Sequence, residues 1–356
     1  MARTDKGSGV RAVGSSGAAR RATLDDVAAL AKVSRKTVSR VVNGEPGVAP
    51  ATAQTVQAAV ARLDYRLNLS ASALRRSDGR TSAAGAVLED LANPFSAAVL
   101  RGVEDVLREH GMLLFAGSGD EDPARERALV RALSQRRVDG LVLAPTGSDH
   151  GYLRADQSAG MAVVFVDRRP RGILADAVLS DNARGAGDAV RHLAAHGHRR
   201  IAYLGDLLDI ATAAERFDGY RRTVQELGLA LDAPQVHDLH ATDLARDAVH
   251  RLMRSADPPT ALFSSQNLVT IGAVSALQSL DLDRSVALVG FDDFPLADLL
   301  RPPVTVVAQD AGEIGRLAAT QLLEQLAGTE RPPQEILVPT RLVARGSGEL
   351  PPRSSV

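Results

Sequence analysis

The sequence predicts an N-terminal all-α segment followed by a two-lobed α/β body built on parallel sheets. Three observations predict it. Charge is divided unevenly along the chain. Apolar residues between 23 and 63 recur at helical spacing. From residue 84 onward, apolar runs alternate with helical patterns. A length of 356 residues suggests two or three domains, and 45% hydrophobic with 24% charged residues supports a sizeable core.

The formal net charge of −1 conceals the division. Residues 1–80 carry 14 Lys and Arg against 6 Asp and Glu, whereas residues 81–356 carry 28 against 37. All three lysines (Lys6, Lys32 and Lys36) lie in the first segment. A basic head on an acidic body points to a polyanion-binding module joined to something else. Cysteine is absent, which excludes disulfides, iron–sulfur clusters, thiol catalysis and cysteine zinc sites. No apolar run reaches the ~18 residues of a membrane span. Residues 1–21 are rich in Gly, Ser and Arg and read as a disordered basic arm, not a secretory signal. The expectation is a cytoplasmic protein without membrane contact.

Residues 22–66 form the helical segment. Thr23 is placed to cap a helix, with Asp26 three residues later completing a capping box. Leu24, Val27, Ala28 and Ala31 follow at helical spacing. Ser34 can cap a second helix with Val38, Val41 and Val42 inward and Asn43-Gly44 as its stop. Pro50 suits the first turn of a third, with Val56, Val60 and Leu63 inward. The tight link 31–34 is that expected of a helix-turn-helix. The second helix then presents Arg35, Lys36, Thr37, Ser39 and Arg40 outward. Arg and Lys at the first turn can donate to guanine O6 and N7. Ser34, Thr37 and Asn43 are short polar groups suited to phosphate.

The body should begin near residue 83. Strands are expected at 84–88, 112–116, 140–144, 162–166, 201–205, 261–264, 286–291, 304–308 and 336–338. Helical patterns intervene, for example at 95–109, 126–136, 185–196 and 216–227. Ligands of such sheets bind beyond the carboxyl ends of the strands. Those ends carry a polar set: Asp90 and Asn93, Ser118 and Asp120, Asp167 with Arg168, Asp206, Gln266 with Asn267, and Asp292 with Asp293. Short acids, amides and an arginine can hydrogen-bond the hydroxyls of a small polar solute. Each could instead be an ordinary cap or turn residue; their recurrence at several strand ends argues for a pocket.

These residues resemble the lac repressor (LacI/GalR) family of bacterial transcription regulators over about residues 22–347. The most specific string is Thr23-Leu24-Asp25-Asp26-Val27-Ala28 followed by residues 33–43. Asn93-Pro94-Phe95, Val166-Asp167-Arg168, Ser180-Asp181-Asn182, Gly197-His198 and Gly290-Phe291-Asp292-Asp293 follow in family order. The resemblance implies a homodimer on pseudo-palindromic operator DNA, with a periplasmic-binding-protein-like effector domain that responds to a small molecule. It carries DNA contact onto Thr23, Leu24, Ser34, Arg35, Lys36, Thr37, Ser39, Arg40 and Asn43. A hinge helix and linker at 67–82 would add Asn68, Ala71 and Leu74, the last as a minor-groove wedge. Effector contacts fall on Asn93, Phe95, Asp167, Arg216, Gln266, Asn267, Asp292 and Gln309. The lobes would comprise 83–178 with 308–337, and 179–307 with 338–347, leaving 348–356 as a tail.

Three positions depart from the family pattern. Leu67 stands where proline usually precedes the hinge asparagine. Ala49 replaces the usual Ser/Thr cap of the third helix. Gln266-Asn267 replaces an Asn-Asp pair whose acid commonly binds sugar hydroxyls, and an amide does not repel anions. No cofactor, metal or catalytic residue is expected: His192 and His196 lack a third ligand, and Gly117-Ser118-Gly119 lacks the third glycine of a dinucleotide fingerprint. The expected function is a repressor of carbohydrate or related small-metabolite genes. The alternatives are a purine- or nucleoside-type corepressor-dependent regulator and, in another class, a solute-binding receptor without regulatory DNA binding.

Overall fold

The computed structural model describes residues 22–65, 80–329 and 331–353, divided between a unit ending at Gly79 and a second unit from Arg80 onward. Asn68, Ala71 and Leu74 lie outside the described residues.

The first unit holds helices α1 (Leu24–Ala31), α2 (Arg35–Val42) and α3 (Pro50–Arg62). Thr23 accepts from the Asp26 amide and Asp26 returns the bond to the Thr23 amide, so the capping box forms. Lys32, in the left-handed region at φ 53°, ends α1 and turns the chain into Ser34, whose hydroxyl accepts from the Thr37 amide. Ala49 makes no side-chain cap and Pro50 starts α3. Val27, Val38 and Val56, one from each helix, are fully buried. Val41, Val42, Val60 and Leu63 pack at the edge of this small core.

The second unit contains two sheets. The N-lobe sheet uses β1 (Ala83–Leu88), β2 (Leu113–Ser118), β3 (Gly140–Leu143), β4 (Ala162–Val166) and β5 (Asp176–Ser180). A late strand, β11 (Glu335–Val338), completes it in the order β11-β5-β4-β3-β1-β2, every pairing parallel. Alternate residues feed opposite faces. Ala84, Ala86 and Leu88 meet α4 (Pro94–Glu109) and α11 (Ala311–Leu326), while Ala83 and Val87 join the core beneath α5 (Pro123–Gln135). The short helix α6 (Arg154–Ser158) follows β3.

The C-lobe sheet uses β6 (Ile201–Leu204), β7 (Gln235–Val236), β8 (Ala261–Ser264), β9 (Ala287–Phe291), β10 (Thr305–Ala308) and β12 (Arg341–Val343). Its order is β12-β10-β9-β8-β6-β7, and only β12 runs antiparallel. Helices α7 (Asn182–Ala195) and α8 (Ala211–Glu226) cover one face, and α9 (Thr242–Met253) and α10 (Asn267–Ser279) the other.

Several expectations need correction. Residues 80–82 belong to the body, not the linker: the Thr81 amide and hydroxyl bond to Asp139. Residues 348–353 are no free tail. Glu349 accepts from Thr305 and pairs with His192, the Leu350 carbonyl meets His198, and Arg353 donates to the Ser285 carbonyl. The lobe boundaries move by one or two residues, because β5 runs to Ser180 and β11 to Val338 within the N-lobe, while Ala308 ends β10 in the C-lobe. Strands β5, β7 and β12 were not expected. The first opens on an acid, and the other two are too short to show a pattern.

Glycine sets the helix spacing. A Cβ at Gly219 on α8 would lie 2.2 Å from the Ala183 carbonyl oxygen on α7. Alanine in a helix normally gains about 1 kcal/mol over glycine, but here overpacking of about 1–3 kcal/mol opposes it. Gly219→Ala is therefore expected to lower stability by up to about 2 kcal/mol, read as a reduced urea midpoint at unchanged slope. A higher midpoint would show that the two helices can separate at no cost.

Candidate DNA-binding face and effector cleft

On the first unit, the α2 N-terminus presents Ser34, Arg35 and Lys36 exposed. Arg35 lies 3.7 Å from Asp25 in a solvent-exposed pair, an interaction worth little. Lys36 has no ion-pair partner among the described residues. The Ser34 and Thr37 hydroxyls are 2.9 Å apart, and Asn43 donates to Ser39. These groups share one turn-rich surface. Two other expected contacts are placed differently. The Leu24 side chain is buried in the three-helix core, so only its backbone can reach a ligand. Arg40 is turned to its own loop, donating to the Pro46 carbonyl with Glu45 beside it.

In the second unit, all eight expected effector residues line one pocket between the lobes, together with Glu89, Arg168, Asp206, Ile210 and Thr212. The reason is positional. Asn93 caps α4 and Gln266 caps α10, so each stands where a strand hands over to a helix. Asp167 and Asp292 occupy matching places after β4 and β9, at φ 66° and 68°. Aspartate tolerates that left-handed conformation better than most side chains. Each amide is fixed by a neighbouring strand carbonyl, Asp167 by Val178 and Asp292 by Val307.

The polar groups are extensively paired. Arg216 is buried; its Nε donates to Asn182 Oδ1 at 2.8 Å, and one terminal nitrogen donates to the Ser265 carbonyl at 2.8 Å and to Asp292 at 3.3 Å. Its guanidinium lies 4.0 Å from the Phe291 ring centre. Gln309 donates to the other Asp292 oxygen. Gln266 donates to Asp206, which also takes His240 at 2.8 Å. Asn267 donates to Asn93 at 2.9 Å, a direct bond between the lobes. Phe95 is only partly buried and packs at the edge of the N-lobe core. The enclosed space is about 40 Å³, room for a few waters.

Other strand-end residues serve structure. Asp90 and Ser118 accept from the 90–92 turn, Asp120 pairs with Arg125, and Asp293 pairs with Arg345. His192 is engaged by Glu349, and no cluster of three or more potential metal ligands occurs among the described residues. Sequence reasoning missed Glu89, Glu121 and His240. Glu121 grips Arg168 with both oxygens. Nothing local marks them; tertiary packing alone brings them to the cleft. Arg168 and Asp206 stood in the strand-end set without being singled out as effector contacts.

Electrostatics follow from burial. Desolvation, reinforced by the Glu121 carboxylate, pushes Glu89 from 4.5 up to about 7. Burial also raises Asp167, against the pull of Arg168 and Arg216. The hydrogen bond to Asp206 raises His240 from 6.5 to about 9.

Residues 23–68 match the family described as bacterial regulatory proteins, lacI family, and residues 190–348 match the periplasmic binding protein-like domain. The HTH-type transcriptional regulator PtxS of Pseudomonas aeruginosa is 34% identical over 332 residues, covering 92% of this chain and 96% of that protein. The chain belongs to the LacI family of bacterial regulatory proteins. As a LacI-family member it is a DNA-binding transcriptional regulator and not an enzyme. The solved structure of a transcriptional regulator CelR–cellobiose complex is 31% identical with a TM-score of 0.68, covering 92% of this chain and 100% of that one. The lac repressor dimer bound to operator and the anti-inducer ONPF shares the fold at a TM-score of 0.81 and 24% identity, covering 92% and 99%. No helix among the described residues is long and apolar enough to cross a membrane.

The two raised pKa values have the same sign of consequence. Through these two groups the folded LacI-family body holds more protons than the unfolded chain between about pH 4.5 and 9, so their contribution to stability falls as pH rises, whereas burial lowers His198 and His237, which act in the opposite sense. Glu89 contributes its part between 4.5 and 7, and His240 between 6.5 and 9. Melting temperatures across this range should show Glu89→Gln removing the lower part of the fall and His240→Gln the upper part. Wild-type and variant profiles that stay parallel would contradict the assignment.

Proposed function

We propose that this chain is a cytoplasmic, homodimeric repressor whose affinity for a pseudo-palindromic operator is set by a small polyhydroxylated metabolite in the inter-lobe pocket. The observation that carries this reading is the convergence of eight residues from both lobes, most of them at strand ends, on one polar pocket. Because Asn267 of the C-lobe bonds directly to Asn93 of the N-lobe, an occupant of that pocket must alter the contact between the lobes. A ligand that favours one lobe arrangement shifts the population between DNA-competent and incompetent states.

DNA contact is assigned to the exposed first turn of α2. Arg35 and Lys36 are the base readers, with Ser34, Thr37, Ser39 and Asn43 positioned for phosphate, and Thr23 at the start of α1. Asn68, Ala71 and Leu74 remain the hinge assignments. A second copy is supported by exposed apolar residues on the body: Leu113 and Phe115 on edge strand β2, and Leu296 and Leu299 after β9. The cellobiose in the related CelR complex favours a carbohydrate as effector.

The test is operator affinity by fluorescence anisotropy at fixed salt, using an operator selected from random duplexes. Arg35→Ala and Lys36→Ala should each weaken specific binding by about 1–3 kcal/mol and relax base preference at the contacted positions. Unchanged affinity and preference in both variants would overturn the recognition-helix assignment.

A further inference from the structure

Beside the effector pocket lies a larger cavity of about 350 Å³ that none of the eight effector residues lines. Arg168 and Ile210 border both spaces. N-lobe loops contribute Thr146, Ser148 and Arg171, and the C-lobe contributes the chain entering α8.

The hydrogen-bonding inventory of this cavity is one-sided. Two of its arginines are spoken for: Arg168 by Glu121, and Arg169 by Glu335 and Glu215. Arg171, an exposed residue, has no guanidinium partner among the described residues. Thr146 is 8% exposed, and its hydroxyl has no hydrogen bond among the described residues. Helix α8 starts behind Ile210, a residue with no side chain able to cap it. The amides of Ala211, Thr212 and Ala213 are therefore left without side-chain acceptors at the positive end of a 16-residue helix. Thr212, 6% exposed and lining the effector pocket, also has no partner for its hydroxyl among the described residues. Asp209, also on the cavity wall, is a carboxylate without an ion-pair or hydrogen-bond partner among the described residues. Unused donors, one of them a full cation, face a space large enough for a ligand group.

We propose that this cavity is an anion subsite of the effector cleft. The effector is then a polyhydroxylated molecule bearing a carboxylate or phosphate. Its charge lies at Arg171 and the α8 N-terminus, and its hydroxyls turn toward the pocket between Arg168 and Arg216. The proposal rests on reading that pocket as the effector site. It also accounts for an amide at Asn267, which leaves one fewer negative charge to oppose an anion in the cleft.

The experiment is calorimetric titration of the full chain with matched trios: an aldose, its aldonate and its terminal phosphate, in the pentose and hexose series, with inorganic phosphate alone as a further probe. A charged member should bind at least about tenfold tighter than its parent aldose, as expected of charge-assisted hydrogen bonds. Arg171→Gln should remove that advantage, and Asp209→Asn should increase it without changing the parent aldose. The preferred trio member separates a carboxylate from a phosphate. Aldose binding equal to or tighter than that of both charged members overturns the anion subsite and leaves the effector cleft standing. A charged advantage that survives Arg171→Gln also overturns it. No binding by any trio member overturns the subsite and the carbohydrate reading together, whereas operator binding tests the regulator itself.

Discussion

The buried guanidinium of Arg216 is the interaction on which the cleft depends. It projects from α8 and reaches three separate strand ends: Asn182 where the chain has just left β5, Ser265 after β8, and Asp292 after β9. An arginine removed from water costs several kcal/mol unless its donors are met. Here the amide meets Nε, the carbonyl and the carboxylate meet one terminal nitrogen, and the Phe291 ring covers one face. Pulling these ends together fixes where Asp292 points, and Gln309 is set in turn by Asp292. Arg168 does the corresponding work in the N-lobe through Glu121 and its neighbour Asp167.

Two polar centres, one per lobe, thus face each other across a narrow space. The direct bond between Asn93 and Asn267 joins them, and Arg169 adds a second bridge by holding Glu335 of the N-lobe and Glu215 of α8 together. Glu215 also accepts from Asn182, the residue that accepts from Arg216. A ligand that competes for Arg216 therefore perturbs contacts that hold the lobes. By linkage, whatever lobe arrangement the operator selects must alter ligand affinity by the same factor.

Much of this was legible in the sequence because strand-to-helix junctions have a readable grammar. Thr23, Ser34, Asn93 and Pro50 mark helix starts by capping chemistry, and the apolar runs of the buried parallel strands are nearly continuous. Asn93, Asp167, Gln266, Asn267 and Asp292 stand at the same junctions, whereas Phe95, Arg216 and Gln309 were marked only by the family resemblance. Glu89, Glu121 and His240 were not legible, since their place in the cleft comes from packing between segments distant in sequence. Asp176 hid a buried strand, because an acid at its start signals a turn unless Arg331 and the Gln334 amide are known to satisfy it. The same blindness made 348–353 look like a tail. Its anchors, His192, His198 and Thr305, lie more than forty residues away in the chain.

The most direct test of the account is a double-mutant cycle between Arg216 and Asp292 by equilibrium unfolding. Arg216→Met alone leaves the Asp292 carboxylate buried without its cation and is expected to cost about 3–5 kcal/mol. Adding Asp292→Leu should recover a large part of that loss, giving a coupling of at least ~1 kcal/mol. Losses that simply add would mean that the pair is incidental and that the cleft is held by something other than this arginine.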